Sequence, residues 1–393
     1  MLGVLELLTL ILLCIPVFIF LFYGLILFYF SRKKEDEIED QSVEFEPRVS
    51  IVIPTHNEEL VISKKIDNLL HLDYPKEKLE IIFVDDSADN TAKIIEEYSR
   101  RFQYISLIRF NTRMGYSPSM IAGCRAAKNE IVIYSEAGSF MDEQAIRKLV
   151  RHFKEPNIGL VTGRSAILNA NEEVGEAEKS YVDISNFLRR AESNMDSTFW
   201  VKGEATAVRK ELIADLDDCT ATFDNTSALF VRKKGYRSIY DPEVKFYEYA
   251  PTTYQEWGKQ KTIRAANWIK MLLRFKSMFF RRKYGLFGCI TLPFLFSMLV
   301  VVPILVPLGI ISLVALTFFD LRFSLVIWGI LGFVVLLSLI FARRLLMTFF
   351  EFEYALLKAI YQVSFTKTEH DKIDKVVSTR SQAVQQGIHG EEK

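Results

Sequence analysis

Neither sign of charge is in excess in this chain of 393 residues, because 49 Lys and Arg balance 49 Asp and Glu. A formal net charge of zero argues against a general nucleic-acid-binding protein. The four cysteines contain no Cys-x-x-Cys pair, and the five histidines show no ligand spacing, so neither a disulfide framework nor a zinc site is indicated. Internal repeats and the phosphate-binding patterns GxGxxG and GxxxxGK(S/T) are also absent.

The abundant apolar residues, 50% of the chain, are concentrated at its two ends. Leu7 to Phe30 contains no charge and is long enough to cross a bilayer, and it has neither a basic start nor a cleavage site. Two further apolar stretches run from Leu286 to Phe319 and from Phe323 to Ala342. With basic residues kept inside, these stretches predict three spans in the plasma membrane, an outside N-terminus and a cytoplasmic middle.

Two segments next to the apolar stretches contain both charged and apolar residues. The residues from Trp257 to Lys283 contain no acid and interleave basic with apolar side chains, which predicts amphipathic helices on the cytoplasmic leaflet. The segment after the last span contains Glu351 and Glu353, so it is predicted to lie at the interface. The predicted organisation is an anchor (1–34), a cytoplasmic domain (46–256), interfacial helices (257–285), two spans (286–344, the first of the two beginning near residue 295), an interfacial helix (345–366) and a cytoplasmic tail (367–393).

Strands and helices alternate in the middle of the chain. Buried-type strands are predicted at 49–54, 79–85, 104–110, 130–135 and 158–163, and helices at 58–70, 90–102, 117–127 and 143–153. This order predicts an α/β, Rossmann-like domain with a mostly parallel, doubly wound sheet. Ligands of such sheets bind at the carboxyl ends of the strands.

Acidic and small residues follow three of these strands: Thr55 to Glu58, Asp85 to Ser87, and Glu136 to Gly138. Carboxylates there can accept hydrogen bonds from ribose and base N–H groups, or ligate a divalent cation that carries a diphosphate. A single cluster is equally typical of helix capping. Three clusters at one edge indicate a nucleotide or nucleotide-sugar site.

Six segments together resemble glycosyltransferase family 2, whose members have the GT-A fold. They are IVIPTHNEE (51–59), FVDDSADNT (83–91), YSEAGS (134–139), KGEATAVRK (202–210), FDNTSALFVRKKGYR (223–237) and KYGLFG (283–288). The resemblance runs from about Val49 to Gly288. It implies an enzyme that transfers a hexose from a nucleotide-diphosphate sugar, either GDP-mannose or a UDP-hexose.

The resemblance also implies roles for individual residues. Asp224 matches the catalytic base, although an N-cap before the following helix would equally explain an aspartate there. Gly203 and Glu204 would border the acceptor, and Glu136 would be the metal ligand for Mn²⁺ or Mg²⁺. The implied nucleotide-sugar-binding residues are Pro54, Thr55, Asn57, Glu58, Asp85, Asp86, Asp89, Arg113, Lys261 and Arg264.

Three positions depart from the family pattern. Gly138 replaces the second acid of the Asp-x-Asp motif, Tyr116 replaces a lysine, and Phe223 replaces the acid before the base. The QxxRW motif of processive synthases reads QKTIRAANW from Gln260 to Trp268. These departures lower the expectation of strong metal binding and of a long polymer product.

Four functions are compatible with the sequence. The favoured one is transfer to a hydroxyl of a membrane-presented glycolipid or short glycan, with the bilayer, the donor and this acceptor as partners and no nucleic acid. The alternatives within the enzyme class are a polyprenyl-phosphate sugar synthase, whose phosphate nucleophile needs no base, and a processive polysaccharide synthase. A non-catalytic membrane scaffold is the alternative from another class.

Overall fold

The computed structural model describes residues 2–33, 45–217, 222–341 and 343–365. The tail predicted at 367–393 lies outside these residues, as do Lys34 at the end of the anchor and Cys219. The described chain forms one eight-stranded sheet with covering helices and a set of long apolar helices.

The first four strands form the parallel half of the sheet, as the sequence predicts. Helix α1 (Leu2–Ser31) precedes β1 (Val49–Thr55), α2 (Ile62–Leu70), β2 (Leu79–Asp85), α3 (Thr91–Arg101), β3 (Ile105–Arg109), α4 (Tyr116–Ala126) and β4 (Ile131–Tyr134). The spatial order of these strands is β3-β2-β1-β4, and all three pairings are parallel. Strand β4 is buried along its whole length, as a strand covered on both faces should be.

The other half of the sheet is mixed. It contains β5 (Ser139–Met141), α5 (Ala145–Val150), β6 (Ile158–Ile167), α6 (Glu173–Met195), β7 (Thr206–Arg209), α7 (Phe223–Lys233) and β8 (Arg237–Glu248). Strand β7 runs antiparallel to both β4 and β6, while β8 is parallel to β6 and antiparallel to β5. The prediction of a mostly parallel sheet holds, since four of the seven pairings in the described part of the chain are parallel and the three antiparallel ones all involve β5 or β7. Strands β5 and β7 were not predicted, because segments of three and four residues show no usable periodicity.

Two apolar cores lie on the two sides of the sheet. One contains Ile51, Phe83 and Ile66 of α2, and the other contains Val52, Val84 and Met120 of α4. Gly123 of α4 lets that helix approach the sheet, because a Cβ there would stand 2.3 Å from Val52 Cγ1. The sandwiched sheet fixes the carboxyl ends of β1, β2 and β4 side by side.

The remaining helices follow the sheet. They are α8 (Tyr254–Arg274), α9 (Leu292–Phe296), α10 (Val302–Phe319), α11 (Leu321–Phe341) and α12 (Arg343–Phe365). Three helical stretches are long and apolar enough to cross a membrane: Gly3–Ser31, Phe287–Phe319 and Leu321–Phe341. The second stretch is helical over its 33 residues, with π-helical turns at Phe287–Thr291 and Ser297–Val301, so no break separates an interfacial part from a span near residue 295.

The apolar face of α8 is covered by the protein itself. Trp268, Leu272 and Met271 are buried and belong to a core that includes Phe199 of the loop after α6 and Leu356 of α12. The sequence predicted that these side chains would face the bilayer. Their burial against the chain corrects that prediction, and leaves Leu273 and Phe280 as exposed apolar side chains of this segment.

Candidate active site

A hydrogen-bonded network joins the ends of β1 and β2. Asp85 has no exposed surface, and its carboxylate accepts from Thr55 Oγ1 (2.7 Å) and Ser87 Oγ (2.6 Å). Ser87 Oγ in turn accepts from the backbone N of Asn57 at 2.8 Å. Asp85 was predicted to hold the base and ribose directly. It instead lies beneath the surface and fixes the two loops that border the open edge.

Asp86 is the best-satisfied carboxylate at this edge. It accepts from Arg113 Nη1 (2.9 Å) and from the backbone N–H groups of Met114 (2.7 Å) and Gly115 (3.2 Å), and His56 Nδ1 lies 2.7 Å away. Burial disfavours the charged form, but the two amides and the Arg113 charge prevail and hold the pKa of Asp86 below its usual value. Asp86 is therefore an anchored anion, and Arg113 is positioned by it.

The loops after β1 and β2 carry three more predicted residues. Asn57 adopts a positive φ of 55°, is exposed, and accepts from the backbone N of Ala88 at 3.0 Å. Glu58 is buried, and its backbone N donates to Thr91 Oγ1 at 2.8 Å. Asp89 accepts from the backbone N of Thr91 (3.0 Å) at the start of α3. Together with the half-buried Pro54, these residues form the rim of the predicted nucleotide pocket.

The predicted base lies at the other end of this edge. Asp224 is the second residue of α7, whose N-cap is Thr222, so capping does not account for the aspartate. Tyr116 Oη donates to Asp224 Oδ1 at 3.0 Å. A Cβ on Gly203 would stand 2.2 Å from Tyr116 Oη and 3.0 Å from Asp224 Oδ1. The structure thus brings Asp224, Tyr116 and Gly203 together, and a side chain at position 203 would displace them.

The environment of Asp224 favours its protonated form. Burial, together with the negative charges of Glu136 and Glu204, raises its pKa to about 8, although the Tyr116 hydrogen bond and the Arg264 charge act in the opposite direction. A carboxylate with such a pKa is a stronger base than an ordinary aspartate. Perturbation of this kind at a strand-end cleft is typical of catalytic acids and bases.

Two cations predicted near the diphosphate have different surroundings. Arg264 is half-buried, and its charge interacts with Glu204 and Glu136. Lys261 is buried: its Nζ donates to Glu178 Oε2 at 2.8 Å and lies 3.3 Å from the centre of the Tyr181 ring. Burial lowers the pKa of Lys261 to about 7, although the Glu178 charge opposes this. Lys261 is therefore engaged between α6 and α8 rather than presented to the open edge.

The described residues contain no group of three His, Cys, Asp or Glu that could hold a metal ion. Glu136 is half-buried, and a Cβ at Gly138, two residues further on, would meet nothing within 4 Å, so there is open space at that position of the loop. Hard divalent cations are commonly held by one or two carboxylates together with substrate phosphates. Glu136 fits that arrangement, with the remaining ligands supplied by the diphosphate and water.

Sequence reasoning missed four residues of the site. Lys65 of α2 lies beneath the Glu136 loop, His56 contacts Asp86, Tyr116 contacts Asp224, and Lys202 Nζ donates to Glu248 Oε1 at 3.0 Å. A signal was available for Lys65, because it shares its helix face with Ile62, Ile66 and Leu69. Tyr116 was noted only as a departure from the family pattern.

Residues 50–217 match the family model described as Glycosyl transferase family 2. The chain is 27% identical over 250 residues to the probable glycosyltransferase YdaM of Bacillus subtilis (strain 168), covering 60% of this chain and 59% of that protein. It is 26% identical over 270 residues to the poly-beta-1,6-N-acetyl-D-glucosamine synthase of Staphylococcus aureus (strain COL), covering 66% of this chain and 65% of that one. The chain therefore spans about three fifths of the length of these curated relatives.

A solved structure shows the same fold. The mannosyltransferase PcManGT from Pyrobaculum calidifontis, solved in complex with GDP-Man and Mn²⁺, superposes with a TM-score of 0.76 at 22% identity, covering 93% of this chain and all of that one. The sheet and its helices form a GT-A-like Rossmann fold. Residues 50–217 therefore match the domain of a family of transferase enzymes.

Proposed function

We propose that this protein is an inverting hexosyltransferase that uses GDP-mannose or a UDP-hexose as donor and a hydroxyl of a membrane-presented glycolipid or short glycan as acceptor. The observation that carries the proposal is the placement of Asp224. It combines a strand-end location, a hydrogen bond from Tyr116 and a pKa raised to about 8. The family match and the named activities of its relatives support the same reaction class.

The chemistry follows from this placement. Asp224 removes the proton from the acceptor hydroxyl as its oxygen attacks the anomeric carbon. The bond from that carbon to the diphosphate oxygen breaks, and attack opposite the leaving group inverts the configuration. The Tyr116 hydroxyl holds the carboxylate in one orientation, and the absence of a side chain at Gly203 leaves the carboxylate accessible.

The leaving diphosphate carries negative charge that must be offset. Arg264 lies on the side of Glu136 and Glu204, and Arg113 is fixed at the nucleotide side by Asp86. Glu136 would hold Mn²⁺ or Mg²⁺, which when bound neutralises the phosphates; the Mn²⁺ in the solved mannosyltransferase supports this choice. Lys261 would reach the donor only after separating from Glu178.

Membrane location belongs to the same proposal. The three apolar helices fit a multi-pass protein of the plasma membrane, with the sheet domain on the cytoplasmic side where nucleotide sugars occur. Tyr23 Oη of α1 donates to Glu192 Oε1 of α6 at 2.9 Å, which joins the first apolar helix to the domain. An acceptor held in the bilayer would thus meet a catalytic domain fixed close to it.

A processive polysaccharide synthase is the second candidate, because one relative is a poly-beta-1,6-N-acetyl-D-glucosamine synthase. The interrupted motif between Gln260 and Trp268 favours a short product instead. A polyprenyl-phosphate acceptor would make Asp224 dispensable, and a scaffold would turn over no donor. Product length and the activity of Asp224→Asn separate these alternatives.

The test of the proposal is nucleotide binding followed by turnover. The detergent-purified protein is heated with GDP or UDP, each with and without Mn²⁺, because a ligand of the native state raises the melting temperature. We expect stabilisation by one nucleotide, and release of that nucleotide from its hexose donor when membrane lipid extract is added. No stabilisation by either nucleotide and no release would contradict the proposal.

A further inference from the structure

Lys65 is a buried cation that the proposed chemistry does not use. Its side chain has no exposed surface and lies on the core face of α2, beside Ile62, Ile66 and Leu69. Its Nζ donates to Ser135 Oγ and to the backbone O of Ser139, both at 2.6 Å. Burying an ammonium is costly unless it is paired and hydrogen-bonded, so a lysine at such a position requires an explanation.

The two partners of Lys65 enclose the Glu136 loop. Ser139 Oγ donates to the backbone O of Glu136 at 3.1 Å, and Ser135 Oγ donates to the backbone O of Glu204 at 3.1 Å. The hydrogen bonds therefore run from α2 through the end of β4 to the turn before β7. The segments that carry Glu136 and Glu204 are therefore both linked by hydrogen bonds to the ammonium group of Lys65.

The positive charge of Lys65 interacts with the negative charges of two carboxylates. Burial lowers the pKa of Lys65 to about 7, and the two charges that oppose this are those of Glu136 and Glu204. The same two carboxylates face Asp224, as do Tyr116 of α4 and Arg264 of α8. Lys65 thus supplies positive charge from beneath the sheet edge, while Arg264 supplies it from the helix above the loop.

We infer that Lys65 is a positioning residue of the donor site, whose ammonium holds the Glu136 and Glu204 turns together and offsets part of their negative charge. The inference rests on the proposed function only in assigning these carboxylates to the donor site. The alternative is a lysine that only fills space in the core. The two differ in one respect: a Lys65 charge that acts on Glu136 must weaken the binding of any external cation there, whereas an uncharged packing residue would not.

The test measures Mn²⁺ alone binding to the full-length, ligand-free protein, with free Mn²⁺ followed by electron paramagnetic resonance. Lys65→Met removes the charge and keeps the shape. We expect it to bind Mn²⁺ roughly tenfold more tightly or better, because a nearby like charge in a partly buried site costs about that much. Lys65→Arg, which keeps the charge, and Lys64→Met, on the half-buried neighbour of the same helix, should bind as the unchanged protein does.

Several outcomes would overturn the inference. Equal or weaker Mn²⁺ affinity in a folded Lys65→Met variant would do so, as would the absence of binding in both proteins. If Lys65→Met does not fold, Lys65→Gln gives the same measurement, and failure of both to fold would assign the lysine to folding alone. None of these readings needs sugar transfer, so an inactive protein with the expected Mn²⁺ change would contradict the proposed function and leave the role of Lys65 standing.

Discussion

The two sides of the sheet edge contain carboxylates in opposite electrostatic states. On the nucleotide side, Asp86 receives three hydrogen bonds, one of them from Arg113, and its pKa is held below the usual value. On the sugar side, Asp224 receives a hydrogen bond from Tyr116 and faces Glu136 and Glu204, and its pKa is raised to about 8. Both are aspartates at the same edge of the same domain.

The difference shows how one fold assigns distinct tasks to one residue type. Hydrogen-bond donors and a cation stabilise the charged form of a carboxylate, while burial beside other carboxylates stabilises the protonated form. The first kind of aspartate is a fixed structural anion. The second kind holds a proton more tightly and is suited to exchange it with a substrate. Substitutions at the two aspartates and at their hydrogen-bond donors test this division.

The largest expected effect is that of Asp224→Asn. An amide of the same shape cannot accept the hydroxyl proton, so we expect kcat to fall by about 10²–10⁴. The substitution also removes a charge that the site disfavours, so the melting temperature at pH 9 should not decrease. Steady-state kinetics and thermal unfolding measure the two effects. Asp183→Asn, at an exposed pair with Lys179, is the control. Full activity of Asp224→Asn would favour a phosphate acceptor.

In contrast to Asp224→Asn, Asp86→Asn should lower the stability of the protein. Its carboxylate is buried and charged, so replacing it weakens three hydrogen bonds and removes the ion pair with Arg113. We expect a loss of about 2 kcal/mol in the free energy of unfolding at pH 7, together with weaker nucleotide binding. The lowered pKa means that the stabilisation is present above the unfolded-state pKa and lost as the pH falls through the folded-state value. Denaturant titrations at pH 7 and at low pH measure this, and an unchanged stability difference would contradict it.

Tyr116→Phe tests the hydrogen bond that Tyr116 donates to Asp224. The hydrogen bond favours the charged carboxylate, so its removal should raise the pKa of Asp224 above its value of about 8. Because the base must be deprotonated, activity rises with pH through this pKa, and the rise should move to higher pH in the variant. We expect about a tenfold lower rate at pH 7 and a smaller deficit at pH 9. An unshifted pH profile would mean that Tyr116 does not contact the base during turnover.

The sequence predicted the parts of the fold and site that depend on local pattern. Strands β1, β2 and β4 are apolar runs followed by small or acidic residues, so both their existence and the location of the edge followed from the sequence. Asp224 and Glu136 were placed by family resemblance, and the structure brings their charges into interaction. What could not be predicted depends on contacts distant in sequence.

Lys261 illustrates the limit. Its position on α8 suggested a diphosphate ligand, but the helix turns it toward Glu178, which is 83 residues away in the chain. Likewise, an Asp-Asp pair does not reveal which carboxylate is buried, and Asp85 proved to be the inner one. The orientation of α8 depends on its packing against Phe199 and Leu356, which no periodicity within the helix specifies.

Glu192 shares one feature with each aspartate. Like Asp86 it accepts several hydrogen bonds, and like Asp224 it has a raised pKa. It accepts four hydrogen bonds, from Tyr23 (2.9 Å), Thr198 (3.2 Å), the backbone N of Phe199 (3.0 Å) and Trp200 Nε1 (3.2 Å), yet burial still raises its pKa to about 7. Neutral donors alone therefore do not offset complete burial, whereas Asp86 is less completely buried and has the charge of Arg113 besides its two backbone amide donors.

The smallest expected effect is that of Tyr23→Phe, which removes one of these four donors and with it a polar link between α1 and α6. The other three donors remain, so the loss should be about 1 kcal/mol, seen as a small decrease in melting temperature. The Glu192 carboxylate would become still harder to charge. Since a raised pKa makes ionisation destabilising, the deficit of the variant should grow as the pH rises through 7. A stability deficit that is constant between pH 6 and 8 would show that Glu192 stays protonated. In that case the hydrogen-bond donors of Glu192, rather than its charge, would hold the loop of residues 198–200.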